Sequence, residues 1–442
     1  MQWIFRSIYI VILFLFCMVW MLRFLKEAGL FCAKGKVFSY LTAPIPVEKK
    51  GKGNSAWKKA DAKKIFAYSF LFRLLMFGIG VFLYFVVLRE QTNPDVFSMG
   101  NALSIWEKWD ATHYINLAKE GYAQYTENGE HLFLVFFPLY PWLLRLLHFF
   151  IRNWHLAGIL LSMLAFSIGC VFFFETVKQE YGKKTAMQAW ILICLYPFGF
   201  FFGGIMSESL FFCLLAIGFF CIKSKKWLLA GIAGMLCALC RVQGVLLFGA
   251  ALVEIFVVYQ PFRLLKERKV REIGNILLQK VSCLFLIPCG SLIYLFINYK
   301  VAGNPFQFQY YQREHWFHRV TFLSDCLEEI VYYIKGNTDK ELLFSIWIPE
   351  LVIFIITVLV MIYAFRSMAL KDSAFLLMYT LLNYSVTFLI SGARYMACAI
   401  PLFIGLALWT GKRKWRFAVI ALCFVVLQGI YFSGYLLGKQ IL

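Results

Sequence analysis

The sequence predicts an all-α, polytopic membrane protein. Of its 442 residues, 61% are hydrophobic and only 15% are charged, and the mean hydropathy is +0.71. A soluble globular protein is about 45–50% apolar and about 25% charged. The composition therefore excludes a soluble enzyme, a disordered chain and a secreted disulfide scaffold.

The formal net charge of +20 would suggest nucleic-acid binding in a soluble protein. Here, however, the basic residues cluster in short loops between apolar runs, which is typical of the cytoplasmic loops of membrane proteins. We therefore expect the membrane as a partner and no nucleic acid.

The apolar runs and the loop charges predict a topology. A spanning helix needs about 20 apolar residues, and about twelve runs reach or approach that length: 8–25, 65–88, 156–176, 185–206, 208–222, 227–241, 244–259, 281–299, 348–366, 373–390, 395–410 and 417–437. Six short connecting segments together hold 28 Lys and Arg against 7 Asp and Glu, whereas the loops 89–155 and 300–347 together hold 10 against 13. Because basic loops stay in the cytoplasm, the two long loops are predicted to be external.

The chain divides into two parts. Residues 1–64 begin with an apolar run that has no small-residue cleavage site and is therefore predicted to be a retained helix. Residues 26–64 are predicted to be a polybasic cytoplasmic linker that lies against anionic lipid. Residues 65–442 form the transmembrane domain. Within it, Glu254 is expected to extend towards the cytoplasmic membrane surface, and the cytoplasmic half of the spans carries few other charges.

The first external loop carries the most informative motif, Trp109-Asp110-x-x-His113-Tyr114. The spacing predicts a helix over 109–119, with Asp110, His113 and Tyr114 on one face. Asp110 stands near its N-terminus, where capping of the helix is the alternative to a chemical role. Two prolines interrupt the apolar stretch 132–150, which favours an interfacial or re-entrant helix over a straight span.

Three ionisable residues stand at external joins between apolar runs: Glu208, Arg241 and Arg394. Ionisable groups at such positions are costly in hydrocarbon and are therefore candidates for function. The alternative is structural, with Glu208 pairing with one of the arginines to hold helix ends together. The last external loop adds Gln309, whose amide suits a sugar hydroxyl but is also an ordinary interfacial group.

Several motifs in this order resemble the PIG-V-like mannosyltransferases (GPI mannosyltransferase 2), and the resemblance covers roughly residues 65–440. Besides the Asp110 motif, the matching elements are Gly121-Tyr122, Phe136-Phe137-Pro138-Leu139-Tyr140-Pro141, Tyr196-Pro197, Ser207-Glu208-Ser209-Leu210, Arg241-x-x-Gly244, Asn304-Pro305-Phe306 and Gly392-x-Arg394-Tyr395.

The resemblance implies a membrane glycosyltransferase of the GT-C type, with a large first external loop. Such enzymes transfer a sugar, here mannose, with inversion from a polyprenyl-phosphate carrier to a lipid- or glycan-linked acceptor on the external or luminal face. The catalytic aspartate of the family maps onto Asp110, which would act as the general base. The candidate substrate-binding residues are His113, Tyr114, Glu208, Arg241, Gln243, Gln309, Arg394 and Tyr395.

Arg394 is the first choice for the donor phosphate, since a planar guanidinium suits phosphate oxygens, and Arg241 is the second. Glu208, Gln243 and Gln309 are candidates for sugar hydroxyls. Glu107 and Asp110 stand three residues apart with no Asp-x-Asp, so no cofactor and no metal are indicated, and a divalent metal stays open as an alternative.

Two other functions stay open. A transporter or flippase of lipid-linked sugars would also need charges within the membrane and broken helices, although the sequence has no evident internal repeat. A non-catalytic scaffold of an envelope-assembly complex would leave the charged residues replaceable. The many lysines and short loops favour a bacterial plasma membrane, with the endoplasmic reticulum as the location if the protein is eukaryotic.

Overall fold

The computed structural model describes residues 2–31, 59–89, 97–336 and 339–441. This part of the chain is mostly helical and contains isolated bridges in place of strands, Glu127 with Glu130 and Val320 with Val386. The predicted all-α, multi-pass membrane class is confirmed. The polybasic linker falls largely on residues 32–58, outside the described residues.

The α-helices of the described residues follow one another along the chain: Gln2–Glu27, Lys59–Phe82, Met99–Ser104, Asp110–Glu120, Leu139–Ile151, Trp154–Tyr181, Lys183–Leu195, Glu208–Lys223, Trp227–Cys240, Leu246–Tyr259, Pro261–Lys266, Val270–Ile276, Ser282–Leu284, Leu286–Ala302, Gln307–His315, Leu323–Gly336, Lys340–Leu342, Ile348–Ala364, Leu370–Asn383, Gly392–Tyr395, Ile400–Thr410 and Lys414–Leu436. Short 3-10 or π segments extend or join them: Leu83–Val87, Leu132–Val135, Gly199–Gly203, Val242–Val245, Leu277–Val281, Leu343–Trp347 and Met396–Cys398.

Six helical segments of the described residues are long and apolar enough to cross a membrane: Lys59–Val87, Trp154–Tyr181, Val242–Tyr259, Val270–Ala302, Lys340–Ala364 and Lys414–Leu436. A seventh crossing is available if the pair Gly392–Cys398 and Ile400–Thr410, bent by 78°, counts as one span. Others of the twelve expected runs form shorter helices. Glu208–Lys223, for example, has 16 residues and is about 24 Å long at 1.5 Å per residue.

The centre of the fold is the helix Trp154–Tyr181, which packs against Glu208–Lys223. The two approach closely because Gly169 carries no side chain. A Cβ at this position would lie 2.8 Å from the Phe212 ring and 2.9 Å from the Cys213 Cα atom. Small residues at such contacts are typical of helices that associate in membranes.

The helix Leu139–Ile151 has 13 residues, about 20 Å, and is too short to cross a hydrocarbon core of about 30 Å. It buries Tyr140 and Leu144 and exposes Leu146, Phe149 and Phe150. An apolar face open to the surroundings agrees with the expected interfacial helix.

The N-terminal helix contacts the first turn of the helix Leu370–Asn383 and the turn before it. The indole of Trp20 donates to Ser373 Oγ at 3.0 Å, and the buried Arg23 donates through Nη2 to the carbonyl of Met368 at 2.9 Å. The division of the chain at residue 64 stays a prediction.

A group of charges, which we call the Lys371 cluster, comprises Glu180, Lys223, Glu254, Lys371 and Asp372. Lys371 Nζ lies 2.6 Å from Glu180 Oε2, 3.8 Å from Glu254 Oε2 and 3.9 Å from Asp372 Oδ1, and Lys223 lies 3.1 Å from Glu180 Oε1.

The Lys371 cluster corrects one interpretation of the sequence. Glu180, Lys223 and Lys371 were assigned to short loops, but their helix ends pack together and the Lys371 side chain is fully buried. Glu254 lies 3.8 Å from Lys371, and its position relative to the membrane surface stays a prediction. Loop charges read one by one give no sign of such pairing, because the partners are up to 191 residues apart.

Candidate functional site

Asp110 is the first residue of the helix Asp110–Glu120. The N-cap position before it is Trp109, whose side chain makes no capping hydrogen bond, and the Asp110 carboxylate accepts from Arg394 Nη2 at 3.0 Å. About a third of the side chain, 35%, is exposed. The capping alternative therefore does not describe this carboxylate, although its place in the first turn is favoured by the helix dipole.

The backbone before Asp110 is strained. Trp109 has φ 50° and ψ −118°, a conformation that a bulky residue with a Cβ rarely adopts. Strain of this kind persists where the surrounding structure imposes it, and it is concentrated at functional sites. Here it turns the chain so that Asp110 begins its helix facing Arg394.

Arg394 lies in the short helix Gly392–Tyr395 and is almost fully buried, with 4% of its side chain exposed. Its Nε donates to Glu208 Oε1 at 2.6 Å while its Nη2 holds Asp110. The guanidinium also lies over the Phe201 ring, 4.6 Å from the centroid. Arg394 thus bridges a buried and a half-exposed carboxylate.

Arg241 approaches the same carboxylate from the end of the helix Trp227–Cys240. Its Nη1 lies 2.8 Å from Glu208 Oε1 and 3.3 Å from Ser207 Oγ, and its guanidinium lies 4.7 Å from the centroid of the Tyr395 ring. The side chain keeps 14% exposure. We call Asp110, Glu208, Arg241 and Arg394 the Asp110 cluster.

Glu208 is fully buried behind the two arginines. Both arginines donate to its Oε1, and its Oε2 has no hydrogen-bond partner. From the sequence, Glu208 is expected either to contact a sugar hydroxyl or to pair with an arginine and hold helix ends together. The contacts are those of a group that fixes the arginines, since a buried carboxylate must be paired.

Tyr114 supports the Asp110 cluster from the next turn of its helix. Its hydroxyl donates to Ser207 Oγ at 2.9 Å, beside the contact from Arg241. Burial raises the pKa of Tyr114 above its ordinary value, more than nearby Arg241 lowers it. The hydroxyl therefore stays protonated and serves as a fixed donor.

His113 points away from the Asp110 cluster. Its Nδ1 lies 3.0 Å from the Tyr125 hydroxyl, and its ring stacks on Phe133 with centroids 4.4 Å apart. Burial lowers the pKa of His113 below its ordinary value, although Asp110 and Glu127 oppose the shift. The imidazole is therefore neutral at pH 7 and packs within the loop 89–155.

The remaining predicted residues divide into two groups. Tyr395 joins the Asp110 cluster through its ring beneath Arg241. The buried Gln243 donates to Asn383 Oδ1 at 2.9 Å, and Gln309 is exposed on the helix Gln307–His315. Neither glutamine contacts the four charged side chains.

An apolar groove beside Trp109 was not predicted from the sequence. It has a volume of about 870 Å³ and is lined by Trp109, Tyr333, Trp347, Phe388 and Ile390, among others. The rings of Tyr333 and Trp347 stack 4.1 Å apart on one wall. Tyr333 and Trp347, in the second long loop, could have indicated an apolar groove. Phe388, which lines the same groove, lies in a different segment of the chain.

The acidic groups of the site are already neutralised by arginine. Asp110 and Glu208 face Arg394 and Arg241 at hydrogen-bond distance. In the described parts of the chain, no group of three or more His, Cys, Asp or Glu residues could hold a metal ion. What the arrangement offers chemically is an accessible carboxylate beside two fixed cations.

Comparison of the chain with models of known protein families and with curated proteins found no match.

Proposed function

We propose that the protein is a membrane glycosyltransferase of the GT-C type, similar to the PIG-V-like mannosyltransferases. It would move a sugar, mannose by resemblance, from a polyprenyl-phosphate carrier to a lipid- or glycan-linked acceptor on the external face. The observation that carries the proposal is the pair of Asp110 and Arg394, an accessible carboxylate held 3.0 Å from a buried guanidinium beside an apolar groove.

The proposed reaction is a single displacement. Asp110 takes the proton of the acceptor hydroxyl while the hydroxyl oxygen bonds to the anomeric carbon of the sugar. The bond between that carbon and the phosphate oxygen breaks, its electron pair stays on the polyprenyl phosphate, and the configuration inverts. A positioned base contributes typically 10²- to 10⁴-fold to such a rate.

Arg394 and Arg241 would stabilise the charge that develops on the departing phosphate. A guanidinium offers a planar set of donors that matches phosphate oxygens, and donors fixed before the reaction need no reorganisation during it. Glu208 supports this role because it holds both guanidinium groups from behind, at 2.6 and 2.8 Å.

The groove beside Trp109 would receive the apolar chain of the carrier. Its lining is mainly aromatic and aliphatic, and its volume of about 870 Å³ is in the range of small-molecule sites.

The proposal includes about twelve spanning or short helices, external placement of the loops 89–155 and 300–347, and a bacterial plasma membrane.

The test is sugar transfer by the purified protein in lipid, with labelled polyprenyl-phosphate mannose and a membrane-lipid extract as the acceptor source. Asp110→Asn should lower turnover about 10²- to 10⁴-fold and leave donor binding intact. Glu120→Gln is the matched control, since Glu120 is an exposed carboxylate at the far end of the same helix. A parallel reaction with a chelator tests the metal alternative.

Transport of lipid-linked sugars is a second candidate, favoured by one observation. Paired charges lie at both ends of the helix Glu208–Lys223, since Glu208 belongs to the Asp110 cluster and Lys223 to the Lys371 cluster. If labelled donor crosses the bilayer of sealed vesicles while no sugar reaches any acceptor, transport replaces transfer.

A further inference from the structure

The turn that carries Arg394 is anchored by a carboxylate outside the Asp110 cluster. Glu350 stands in the first turn of the helix Ile348–Ala364 and is 1% exposed. Its Oε1 accepts from the backbone N–H of Ala393 at 3.0 Å, the residue directly before Arg394. No cation of the described residues lies within ion-pair distance of Glu350, so this carboxylate faces backbone and hydroxyl groups alone.

The carboxylate and the turn fit each other closely. A Cβ on Gly392 would lie 2.3 Å from Glu350 Oε2, so the turn can approach because this position is glycine. The hydroxyl of Tyr384 donates to the Glu350 carbonyl at 3.1 Å and reaches its Oε2 at 3.5 Å. Glu350 is itself held in place.

Two more tyrosines fix the backbone on either side of Arg394. Tyr196 donates its hydroxyl proton to the carbonyl of Ala393 at 2.7 Å, and Tyr379 donates to the carbonyl of Tyr395 at 2.9 Å. The backbone polar groups around Arg394 therefore have defined partners, and among these partners the one with a carboxyl group in direct contact is Glu350.

An ionisable carboxyl group is costly to bury without a cation, and a fold that needed only a tight turn could use an amide or hydroxyl oxygen as the acceptor. We propose that Glu350 is a positioning residue, which sets the Arg394 guanidinium for the phosphate of a lipid-linked sugar. This inference rests on the proposed function. Glu350 touches no reacting atom and acts through the Ala393 amide. Losing this contact would shift Arg394, and a displacement of about 1 Å can cost about 10²-fold in rate.

The experiment compares Glu350→Ala, Glu350→Gln and the control Glu341→Gln in the transfer assay. Glu341 is an exposed carboxylate near the start of the same span, where it pairs with Lys439. Glu350→Ala should lower kcat/KM for polyprenyl-phosphate mannose about 10²-fold and leave the acceptor KM unchanged. Glu350→Gln keeps an acceptor oxygen for Ala393 and should restore most of the activity.

A cycle with Arg394→Ala separates positioning from general stability. If Glu350 acts through Arg394, adding Glu350→Ala to Arg394→Ala should cause no further loss. Full additivity, or a Glu350→Ala enzyme as active as Glu341→Gln, overturns the inference. If Glu350→Ala does not fold, Glu350→Asp, which withdraws the carboxylate by one methylene, should show the same donor-specific loss.

Failure of the proposed function gives a different result. If the wild type neither binds the donor nor transfers sugar, the function is wrong, and amide hydrogen exchange over residues 391–395 then decides the inference. Faster exchange in Glu350→Ala, with Glu350→Gln and Glu341→Gln like the wild type, supports anchoring of the turn by Glu350. Equal exchange in all four proteins overturns it.

Discussion

The two charge clusters lie at opposite ends of one helix. Glu208 begins the helix Glu208–Lys223 and belongs to the Asp110 cluster, whereas Lys223 ends it and belongs to the Lys371 cluster. Sixteen residues separate the two ends by about 24 Å. Both clusters join charged residues from segments far apart in sequence.

The clusters differ in how completely their charges are satisfied. In the Lys371 cluster, the Glu180 carboxylate has a lysine at each oxygen, Asp372 accepts from the Tyr181 hydroxyl, and the Lys371 side chain is fully buried. In the Asp110 cluster, Glu208 Oε2 has no partner, and Asp110 is 35% exposed.

This difference separates two uses of buried charge. The Lys371 cluster ties helix ends together, since three carboxylates lie within 4 Å of one buried lysine. The Asp110 cluster has an accessible carboxylate and, beside Trp109, a groove, so it has a group available for chemistry. Strain supports the same division, since Trp109, with a positive φ, directly precedes Asp110.

The largest expected effect is on stability, from Lys371→Met. Removing the lysine leaves Glu180, Glu254 and Asp372 without their shared cation, and breaking a buried pair in this way costs about 3–5 kcal/mol. We expect the free energy of unfolding in mixed micelles to fall by that amount, with the activity of the folded fraction unchanged. Lys439→Met, which removes an exposed partner of Glu341, should cost less than about 1 kcal/mol.

If instead Lys371→Met is as stable as the wild type but inactive, the Lys371 cluster takes part in function. The comparison between the two clusters would then be wrong, and the transport candidate would gain support.

Arg394→Lys should have the opposite profile, with a loss of activity and a smaller loss of stability. Lysine keeps the charge, but one ammonium cannot reproduce the fork that reaches Glu208 and Asp110 together. Losing a charge-assisted hydrogen bond costs about 1.5–3 kcal/mol, which corresponds to roughly 10- to 100-fold in kcat/KM. The transfer assay and the unfolding measurement check the two parts, and a variant with full activity would remove Arg394 from the phosphate site.

The fold class could be predicted because apolar composition and loop charges are local properties of the sequence. The helix around Asp110 was predicted to within a residue, since its spacing is also local. The count of spans is harder, because short helices such as Leu370–Asn383 are buried by their neighbours and their apolar content does not tell a crossing from a core helix.

The site could be predicted only in part. The charged residues at joins between apolar runs were identifiable because such groups are rare there, but nothing in the sequence showed that Glu208 contacts two arginines at once. His113 was expected near Asp110 from helical spacing, yet its ring turned to Tyr125 and Phe133. Glu350 gave no signal, since its partner is a backbone amide 43 residues away.

The smallest expected effect concerns pH and His113. Burial lowers the pKa of its imidazole, so the unfolded chain binds the proton first as the pH falls through about 6.5. The contribution of the neutral ring to stability is therefore complete above that pH and decreases below it. Wild-type protein should lose more stability than His113→Gln between pH 7.5 and 5.5. Between pH 6.5 and 8, wild-type protein and His113→Gln should have the same pH profile of kcat/KM. If the activity of the wild type alone rises on acidification, protonated His113 binds the phosphate and the assignment is wrong.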